Sequence, residues 1–183
     1  MIDLKDIDKT WTLFIDRDGV VNHEKKDDYI RNWNEFRFYD GVLDALKILN
    51  GKFDKILMVT NQKGVGKGVM TLSDLSEIHE NMLDMIKENE GRVDKIFFCS
   101  DLANDSYYRK PNPGMAFQAK NDFPSIDFNK SLMVGNKLSD MGFGRNAGIH
   151  TVFVATTNPE IEFPHHSIDF RFNNLLDFAN QFV

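Results

Sequence analysis

Two carboxylates separated by one residue follow an apolar run near the start of the chain. Asp16 and Asp18 come directly after the run 11–15, and Gly19 follows them. A pair of carboxylates can supply a nucleophile, an acid/base group and oxygen ligands for a hard cation. Asp and Gly are also common in solvated turns, so the pair alone is equally compatible with a surface turn.

Polar and basic side chains that suit phosphate chemistry follow three further apolar runs. In chain order they are Thr60, Asn61, Gln62, Arg109, Lys110, Asn136, Lys137 and Asp140. A hydroxyl, an ammonium group and a planar guanidinium can all bind phosphoryl oxygens. Amide and carboxylate oxygens can complete a site for a hard cation. Together with the first pair, these residues predict a centre that handles phosphate.

Short apolar runs and helix-length amphipathic segments alternate along the chain and predict the elements that position these residues. The predicted strands span 11–15, 55–59, 95–98, 131–134, 151–154 and 169–172, and the predicted helices span 42–49, 71–89, 113–120, 138–147 and 173–181. Continuous apolar runs are typical of strands covered on both faces. The alternation predicts an α/β fold, a three-layer, Rossmann-like, doubly wound parallel sheet. Ligands of such sheets bind beyond the carboxyl ends of the strands, where the polar residues lie.

Length and composition set the broad class. The 183 residues predict one domain spanning 1–183, with 42% hydrophobic and 27% charged residues as in globular proteins. The net charge of −6 argues against a general nucleic-acid binder but leaves room for a local basic pocket. The single cysteine, Cys99, can form neither an internal disulfide nor a cysteine-rich zinc site. Residues 1–9 do not resemble a signal peptide and no run is long enough to span a bilayer, so we expect a cytoplasmic protein with no membrane partner.

The motifs, taken in order, resemble those of the haloacid dehalogenase-like phosphatases. Asp16-Arg-Asp-Gly-Val-Val, Thr60-Asn-Gln and Lys110-Pro match the first three motifs of that family, and Gly135-Asn-Lys-Leu-Ser-Asp140 stands where the fourth belongs. The flanking residues are closer to the branch of heptose bisphosphate phosphatases and histidinol-phosphatases, which the segment beginning at Phe38 also resembles. The resemblance extends from residue 11 to residue 155.

This resemblance implies a magnesium-dependent phosphomonoesterase, a phosphoric monoester hydrolase that works through an aspartyl-phosphate. Asp16 would attack phosphorus, and Asp18 would protonate the leaving alkoxide and then activate water. Asp16, the backbone carbonyl of Asp18 and the side chain of Asn136 would hold Mg²⁺. The residues that bind phosphate and substrate would be Thr60, Asn61, Gln62, Arg109 and Lys110, with Lys137 and Asp140 supporting the site from behind.

The resemblance leaves the substrate open among small phosphorylated metabolites. Heptose 1,7-bisphosphate is the best match and histidinol phosphate the second, and we expect a monomer that binds no nucleic acid. A polynucleotide 3′-phosphatase shares the Thr-Asn-Gln and Arg-Lys-Pro features, but the net charge disfavours it. A weakly active phosphate-binding domain also stays open, because Asn136 stands where the family usually has Asp. A neutral amide adds no charge, so we expect weaker binding of Mg²⁺.

Other departures concern the surroundings of the predicted site. The branch often carries a zinc loop before Arg109, but the segment 99–108 retains only Cys99, so we predict no structural zinc and a buried thiol. The spacing between the motifs leaves no room for a large cap domain, so the loops 23–33 and 63–69 should cover the site. We expect Arg17 to point away from the two carboxylates in a packing or surface role, and we consider His23 a less favoured substrate contact.

Overall fold

A six-stranded parallel sheet forms the centre of the computed structural model, which describes residues 2–183. Its strands are β1 (Thr12–Ile15), β2 (Lys55–Asn61), β3 (Lys95–Cys99), β4 (Ser131–Gly135), β5 (His150–Val154) and β6 (Phe170–Phe172). Their order across the sheet is β3-β2-β1-β4-β5-β6, and all neighbours are parallel. The predicted α/β class is therefore confirmed, and no strand boundary differs from its prediction by more than two residues.

Five of the six helices lie between successive strands from β1 to β5, and the last helix follows β6. They are α1 (Val42–Lys52), α2 (Lys63–Gly66), α3 (Leu72–Glu88), α4 (Gly114–Asp122), α5 (Leu138–Ala147) and α6 (Leu175–Ala179). The segment 63–69 was predicted as a loop, but its first residues form the single helical turn α2. The final helix is shorter than predicted because a 3₁₀ turn, Asn180–Phe182, follows it directly.

The side chains of β1 are buried on both faces of the sheet, which explains why its sequence is continuously apolar. Leu13 and Ile15 belong to the core cluster that also contains side chains of α1, α3 and α6, whereas Phe14 belongs to the cluster formed with α4 and α5. All three side chains have no solvent exposure. Helices therefore cover both faces of the sheet, which gives the predicted three layers.

The strand order determines where the polar motifs meet. β1 lies in the middle of the sheet between β2 and β4, in register with both. The residues that follow these three strands are consequently neighbours at one edge of the sheet. Among residues 2–183, no helix combines the length and the apolar character needed to cross a bilayer.

Candidate active site

The carboxyl ends of the central strands open into a cavity of about 580 Å³. A cavity of this volume is in the range that accommodates small ligands. Eight basic side chains and six acidic ones line it, so its local balance is positive although the net charge of the chain is −6. The basic residues are Arg17, Lys25, Lys26, Lys63, Lys67, Arg109, Lys110 and Lys137. This lining favours an anionic ligand.

Two segments form the outer wall of the cavity, as the sequence predicts. Residues 24–30 contribute one side, and Lys63 and Lys67 on and after α2 contribute another. The Nζ of Lys137 lies 2.5 Å from Oε2 of Glu24 and so joins the first segment to the residues that follow β4. His23 lies outside the cavity lining and packs against the ring of Tyr39, with centroids 3.9 Å apart.

Asp16 lies one residue beyond β1 and is almost fully buried. Its backbone N–H donates to the carbonyl of Val134 at 2.9 Å, which extends the pairing of β1 with β4 and fixes the carboxylate in the cavity wall. Its Oδ1 accepts from the N–H of Arg17 at 2.8 Å. Burial, and next the charge of Asp140, raise the pKa of Asp16 from its ordinary value to about 7, against the attraction of Lys110. A cation bound beside it would favour the ionised form that a nucleophile requires.

Lys110 is a buried cation shared by two carboxylates. Its Nζ lies 2.8 Å from Oδ1 of Asp16 and 2.7 Å from Oδ1 of Asp140, and it donates to the carbonyl of Val59 at 2.8 Å. Three acceptors therefore match the three protons of the ammonium group. Burial opposes the charged form, but the attraction of Asp140 and Asp16 outweighs it and raises the pKa of Lys110. The group is a fixed positive charge beside Asp16.

The carboxylate of Asp18 accepts three side-chain hydrogen bonds. Its Oδ1 receives them from Arg17 and from Asn22, both at 3.0 Å, and its Oδ2 receives one from Gln62 at 2.8 Å. Burial works to raise its pKa, but the charge of Arg17 and these hydrogen bonds outweigh burial and lower it. In the free site Asp18 is consequently an oriented carboxylate.

Arg17 does not point away from both carboxylates, because it pairs with Asp18; the expected direction was wrong, and of the packing and surface roles only a buried one is compatible with the structure. The side chain is 1% exposed, and it is among the largest fully buried side chains of the protein. One of its terminal nitrogens donates to Asp18, and the other lies 3.1 Å from Nε2 of His79 on α3. The physical reason is the adjacent negative charge, because a buried guanidinium is tolerated where a carboxylate and an acceptor satisfy it.

Thr60, Asn61 and Gln62 separate into different positions at the end of β2. Thr60 is buried, and its hydroxyl accepts from the amide nitrogen of Gln62 at 2.9 Å. The side chain of Asn61 pairs reciprocally with the backbone of Lys110, donating to its carbonyl and accepting from its N–H, both at 3.1 Å. Asn61 was predicted to bind phosphate or substrate, whereas its amide is engaged in fixing the backbone at Lys110. Thr60 and Gln62 stay available to the cavity that all three line.

Arg109 lines the cavity with its neighbour Lys110 but is not committed to a protein carboxylate. Its side chain is half-buried, and its Nη1 is buried without a hydrogen-bond partner among residues 2–183. A buried donor without an acceptor is costly unless a ligand or water completes it. This geometry suits the predicted contact of Arg109 with an anionic substrate group.

Asn136 is fully buried directly after β4. Its Nδ2 donates to the hydroxyl of Thr157 at 2.6 Å, while its Oδ1 has no partner in the described part of the chain. The backbone carbonyl of Asn136 accepts from Nδ2 of Asn158 at 2.8 Å. The segment after β5 therefore holds Asn136 from behind.

Asp140 supports the loop after β4 and the cation beside Asp16. Its Oδ2 accepts from the backbone N–H groups of Asn136 and Lys137, at 3.1 and 3.0 Å, and its Oδ1 pairs with Lys110. Because both oxygens are engaged, Asp140 fixes the backbone after β4 and the ammonium group of Lys110. Lys137 lines the cavity through its half-exposed side chain.

The backbone conformation and the close packing of Gly19 explain why the first motif contains a glycine. Its φ of +88° lies in the region that glycine adopts without strain. A Cβ at this position would come within 2.0 Å of Nδ2 of Asn136. The close approach of the two motifs therefore requires a residue without a side chain.

The oxygen donors of this site fit a magnesium ion. Asp16 offers a carboxylate in the cavity wall, and Asn136 offers a buried oxygen that no group of residues 2–183 satisfies. Carboxylate, amide and carbonyl oxygens are the protein ligands that hard cations prefer. The donor set carries one formal negative charge from Asp16 and none from Asn136.

Sequence reasoning missed two residues that fix these groups. His79 touches Arg17. Its spacing of four residues from Leu75, which puts it on the buried face of α3, was the one feature of the sequence that could have indicated it. Thr157 touches Asn136, and it carries no sequence signal beyond following a predicted strand. Cys99 is buried at the end of β3, as predicted for the thiol.

Comparison with known proteins places this geometry among phosphatases. The sequence model of the family described as polynucleotide kinase 3 phosphatase matches residues 3–178. The chain is 35% identical over 146 residues to D-glycero-alpha-D-manno-heptose-1,7-bisphosphate 7-phosphatase of Campylobacter jejuni, covering 80% of this chain and 83% of that protein. It is 34% identical over 155 residues to D-glycero-beta-D-manno-heptose-1,7-bisphosphate 7-phosphatase of Helicobacter pylori, covering 84% and 87%.

A solved structure has the same fold over nearly its whole length. The crystal structure of D,D-heptose 1,7-bisphosphate phosphatase from B. bronchiseptica, complexed with magnesium and phosphate, superposes with a TM-score of 0.84 at 26% identity. The match covers 93% of this chain and 97% of that one. No large cap domain is inserted in the chain relative to this neighbour.

Proposed function

The chain belongs to the polynucleotide kinase 3 phosphatase family of haloacid dehalogenase-like phosphatases, and from that premise we propose that it hydrolyses heptose 1,7-bisphosphate or a closely similar phosphorylated sugar with Mg²⁺ as cofactor. One observation carries the proposal. A buried nucleophile, Asp16, lies beside a fixed cation in a cavity whose lining is more basic than acidic. The names of two relatives at 34–35% identity support the choice of sugar.

In the first step Asp16 attacks phosphorus and the bond from phosphorus to the sugar oxygen breaks. The departing alkoxide takes a proton from Asp18, and an aspartyl-phosphate forms on Asp16. Asp18 is ionised in the free site, so it must acquire that proton as the substrate enters. The approach of a negatively charged phosphate would raise the pKa of Asp18 and so favour its protonation, because a nearby like charge raises the pKa of a carboxylate.

In the second step the carboxylate of Asp18 accepts a proton from water, whose oxygen attacks phosphorus. The bond between phosphorus and Asp16 breaks, which restores the Asp16 carboxylate and releases inorganic phosphate. Gln62 and Asn22 hold Asp18 through both steps because each donates to one of its oxygens. The same side chain therefore serves as acid and then as base.

The remaining residues bind and orient the phosphate. Thr60 and neighbouring backbone amides would grip the transferred phosphoryl group, and Lys110 offsets the negative charge gathered there. Arg109 has an unpartnered donor that suits a substrate phosphate. Magnesium, held by Asp16, the carbonyl of Asp18 and Asn136, would reduce the repulsion between the nucleophile and the phosphate.

We further propose a cytoplasmic monomer without structural zinc that acts on a small metabolite rather than on nucleic acid. The single cysteine is buried and unpaired, as is usual for a reducing compartment. Residues 24–30 line one side of the cavity, whose volume of about 580 Å³ suits a small ligand. Histidinol phosphate and a 3′-phosphorylated oligonucleotide are the competing substrates.

The test is phosphate release from a matched set of substrates. Heptose 1,7-bisphosphate, histidinol phosphate and a 3′-phosphorylated oligonucleotide would each be assayed with Mg²⁺ and with a chelator, and D16N would serve as the inactive control. We expect the highest kcat/KM with the heptose, only in the presence of Mg²⁺. A preference for the oligonucleotide would overturn the substrate. Absence of turnover with all three would favour a phosphate-binding domain instead.

A further inference from the structure

We propose that His79 is a positioning residue for Asp18, acting through Arg17 as the acceptor that fixes the guanidinium. The inference rests on the proposed function in one respect, namely that Asp18 is the acid and base of the reaction. His79 itself touches neither Asp16 nor Asp18 among its hydrogen-bond partners, and it has no role in the steps described above. Its contribution is geometric.

The hydrogen-bond chain has one consistent proton arrangement. Arg17 donates one terminal nitrogen to Oδ1 of Asp18 at 3.0 Å and presents the other to Nε2 of His79 at 3.1 Å. An arginine side chain has only donors. Nε2 of His79 must therefore be the acceptor, which makes the imidazole neutral with its proton on Nδ1. Burial, and then the charge of Arg17, lower the pKa of His79 to about 4, in agreement with a neutral ring.

The ring of His79 is held in place by its helix. Thr71 and Asp74 form a reciprocal capping box at the start of α3, which gives the helix a fixed beginning. Ile78 and Met82, beside His79 on the buried face, are fully enclosed in the core. The acceptor is consequently supplied by a rigid element, as a positioning group requires.

Arg17 depends on this acceptor because the guanidinium has little else to hold it. The side chain is 1% exposed, and its Nε is already buried without a hydrogen-bond partner among residues 2–183. Removal of His79 would leave a second nitrogen unsatisfied, and a buried donor without an acceptor favours rearrangement. The guanidinium would then turn from the plane that aligns it with Asp18.

The test compares variants that keep or remove the acceptor. H79Q places an amide oxygen near the position of Nε2, whereas H79L fills similar space without an acceptor. Should H79L fail to fold, H79N is the second variant, because its amide is one methylene shorter than that of glutamine and so ends farther from Arg17. M82A is the matched control, because it perturbs the buried face of the same helix without a polar contact to Arg17.

Two substrates separate positioning from a general loss of structure. An alkyl sugar phosphate needs a proton on its leaving oxygen, whereas p-nitrophenyl phosphate releases a stable phenolate without one. We expect H79L to lower kcat for the sugar phosphate by about tenfold or more, within what general acid–base catalysis contributes, with KM nearly unchanged. The loss with the aryl substrate should be smaller in the initial burst that reports the first step, because the second step needs Asp18 as base with either substrate. H79Q should recover most of the activity, and M82A should lose stability but little kcat.

Amide NMR signals of Asp18 and Gly19 supply a readout that does not require turnover. They should shift in H79L and return toward the parent positions in H79Q. If the parent protein released phosphate from neither substrate, the proposed function would fail while these signals still decided the positioning role. Signals that H79L leaves unmoved, or a kcat of H79L equal to that of the parent with the sugar phosphate, would overturn the inference.

Discussion

The amide nitrogen of Asn136 lies 2.6 Å from the hydroxyl oxygen of Thr157, and the amide oxygen beside it is buried without a hydrogen-bond partner in the described part of the chain. In this structure the amide nitrogen faces Thr157 and the amide oxygen does not. If Asn136 holds Mg²⁺ as proposed, this oxygen is the atom that remains for the ion, and it supplies no charge.

Replacing this amide by a carboxylate should strengthen magnesium binding. N136D adds a second formal negative charge to the donor set, and the hydroxyl of Thr157 can reverse its role and donate. We expect the Kd for Mg²⁺ to fall by about tenfold, or about 1.4 kcal/mol, with part of the gain lost to repulsion from the substrate phosphate. Calorimetric titration and the dependence of activity on Mg²⁺ would measure it. If N136D needs as much Mg²⁺ as the parent, the site is not limited by charge.

Removing the hydroxyl of Thr157 should weaken the site without touching a ligand. In T157V the buried Nδ2 of Asn136 loses its acceptor, which costs about 1–3 kcal/mol of stability and lets the amide turn. We expect weaker binding of Mg²⁺ by calorimetry and a lower midpoint in urea. T157S retains the hydroxyl and should bind like the parent. Equal binding by T157V and T157S would show that the amide is oriented by something else.

The nucleophile can be tested by an isosteric change. D16N should abolish phosphate release, because an amide cannot attack phosphorus, while the fold is retained. D54N is the matched control, since Asp54 lies before β2 at the opposite end of the sheet and its carboxylate pairs, among the residues that the structure describes, with its neighbour Lys55 alone. Activity and circular dichroism of both variants check the prediction. More than a few per cent of parental activity in D16N would rule out the aspartyl-phosphate.

The lowered pKa of His79 predicts a loss of stability in acid. The folded protein holds this pKa at about 4, below the ordinary value of 6.5, so only the unfolded chain binds the proton between these values. The free energy of unfolding should therefore fall as the pH drops from about 6.5 to about 4, by about 3 kcal/mol from this group, with no further loss below that. The difference in the free energy of unfolding between the parent and H79Q, measured in urea, should change by this amount over the same pH range. Parallel pH dependence of the two proteins would contradict it.

The parallel strands and the cluster at their ends were predictable because their signals are local. A strand buried on both faces needs an unbroken apolar run, and Leu13, Phe14 and Ile15 supply one immediately before Asp16. The topology then brings the strand ends together regardless of distance along the chain. Arg109 and Lys110 could be placed in the same way, after one short loop.

The contacts that orient the site were not predictable because they join distant residues through single side-chain atoms. His79 is 62 residues from Arg17, and its sequence neighbours read only as an apolar helix face. Asn61 follows β2 like a ligand-binding residue, yet its amide pairs with a backbone 49 residues away. Such pairings depend on side-chain rotamers that no periodicity encodes.

The reciprocal pairing of Asn61 with Lys110 makes the position of the ammonium group independent of the sequence of the loop 100–108. The backbone at Lys110 is pinned to the end of β2 by two hydrogen bonds, and its ammonium group is held by Asp16 and Asp140. The conformation of residues 100–108 is therefore not needed to position the ammonium group of Lys110. That loop can therefore be lengthened, shortened or exchanged while the reacting groups keep their positions.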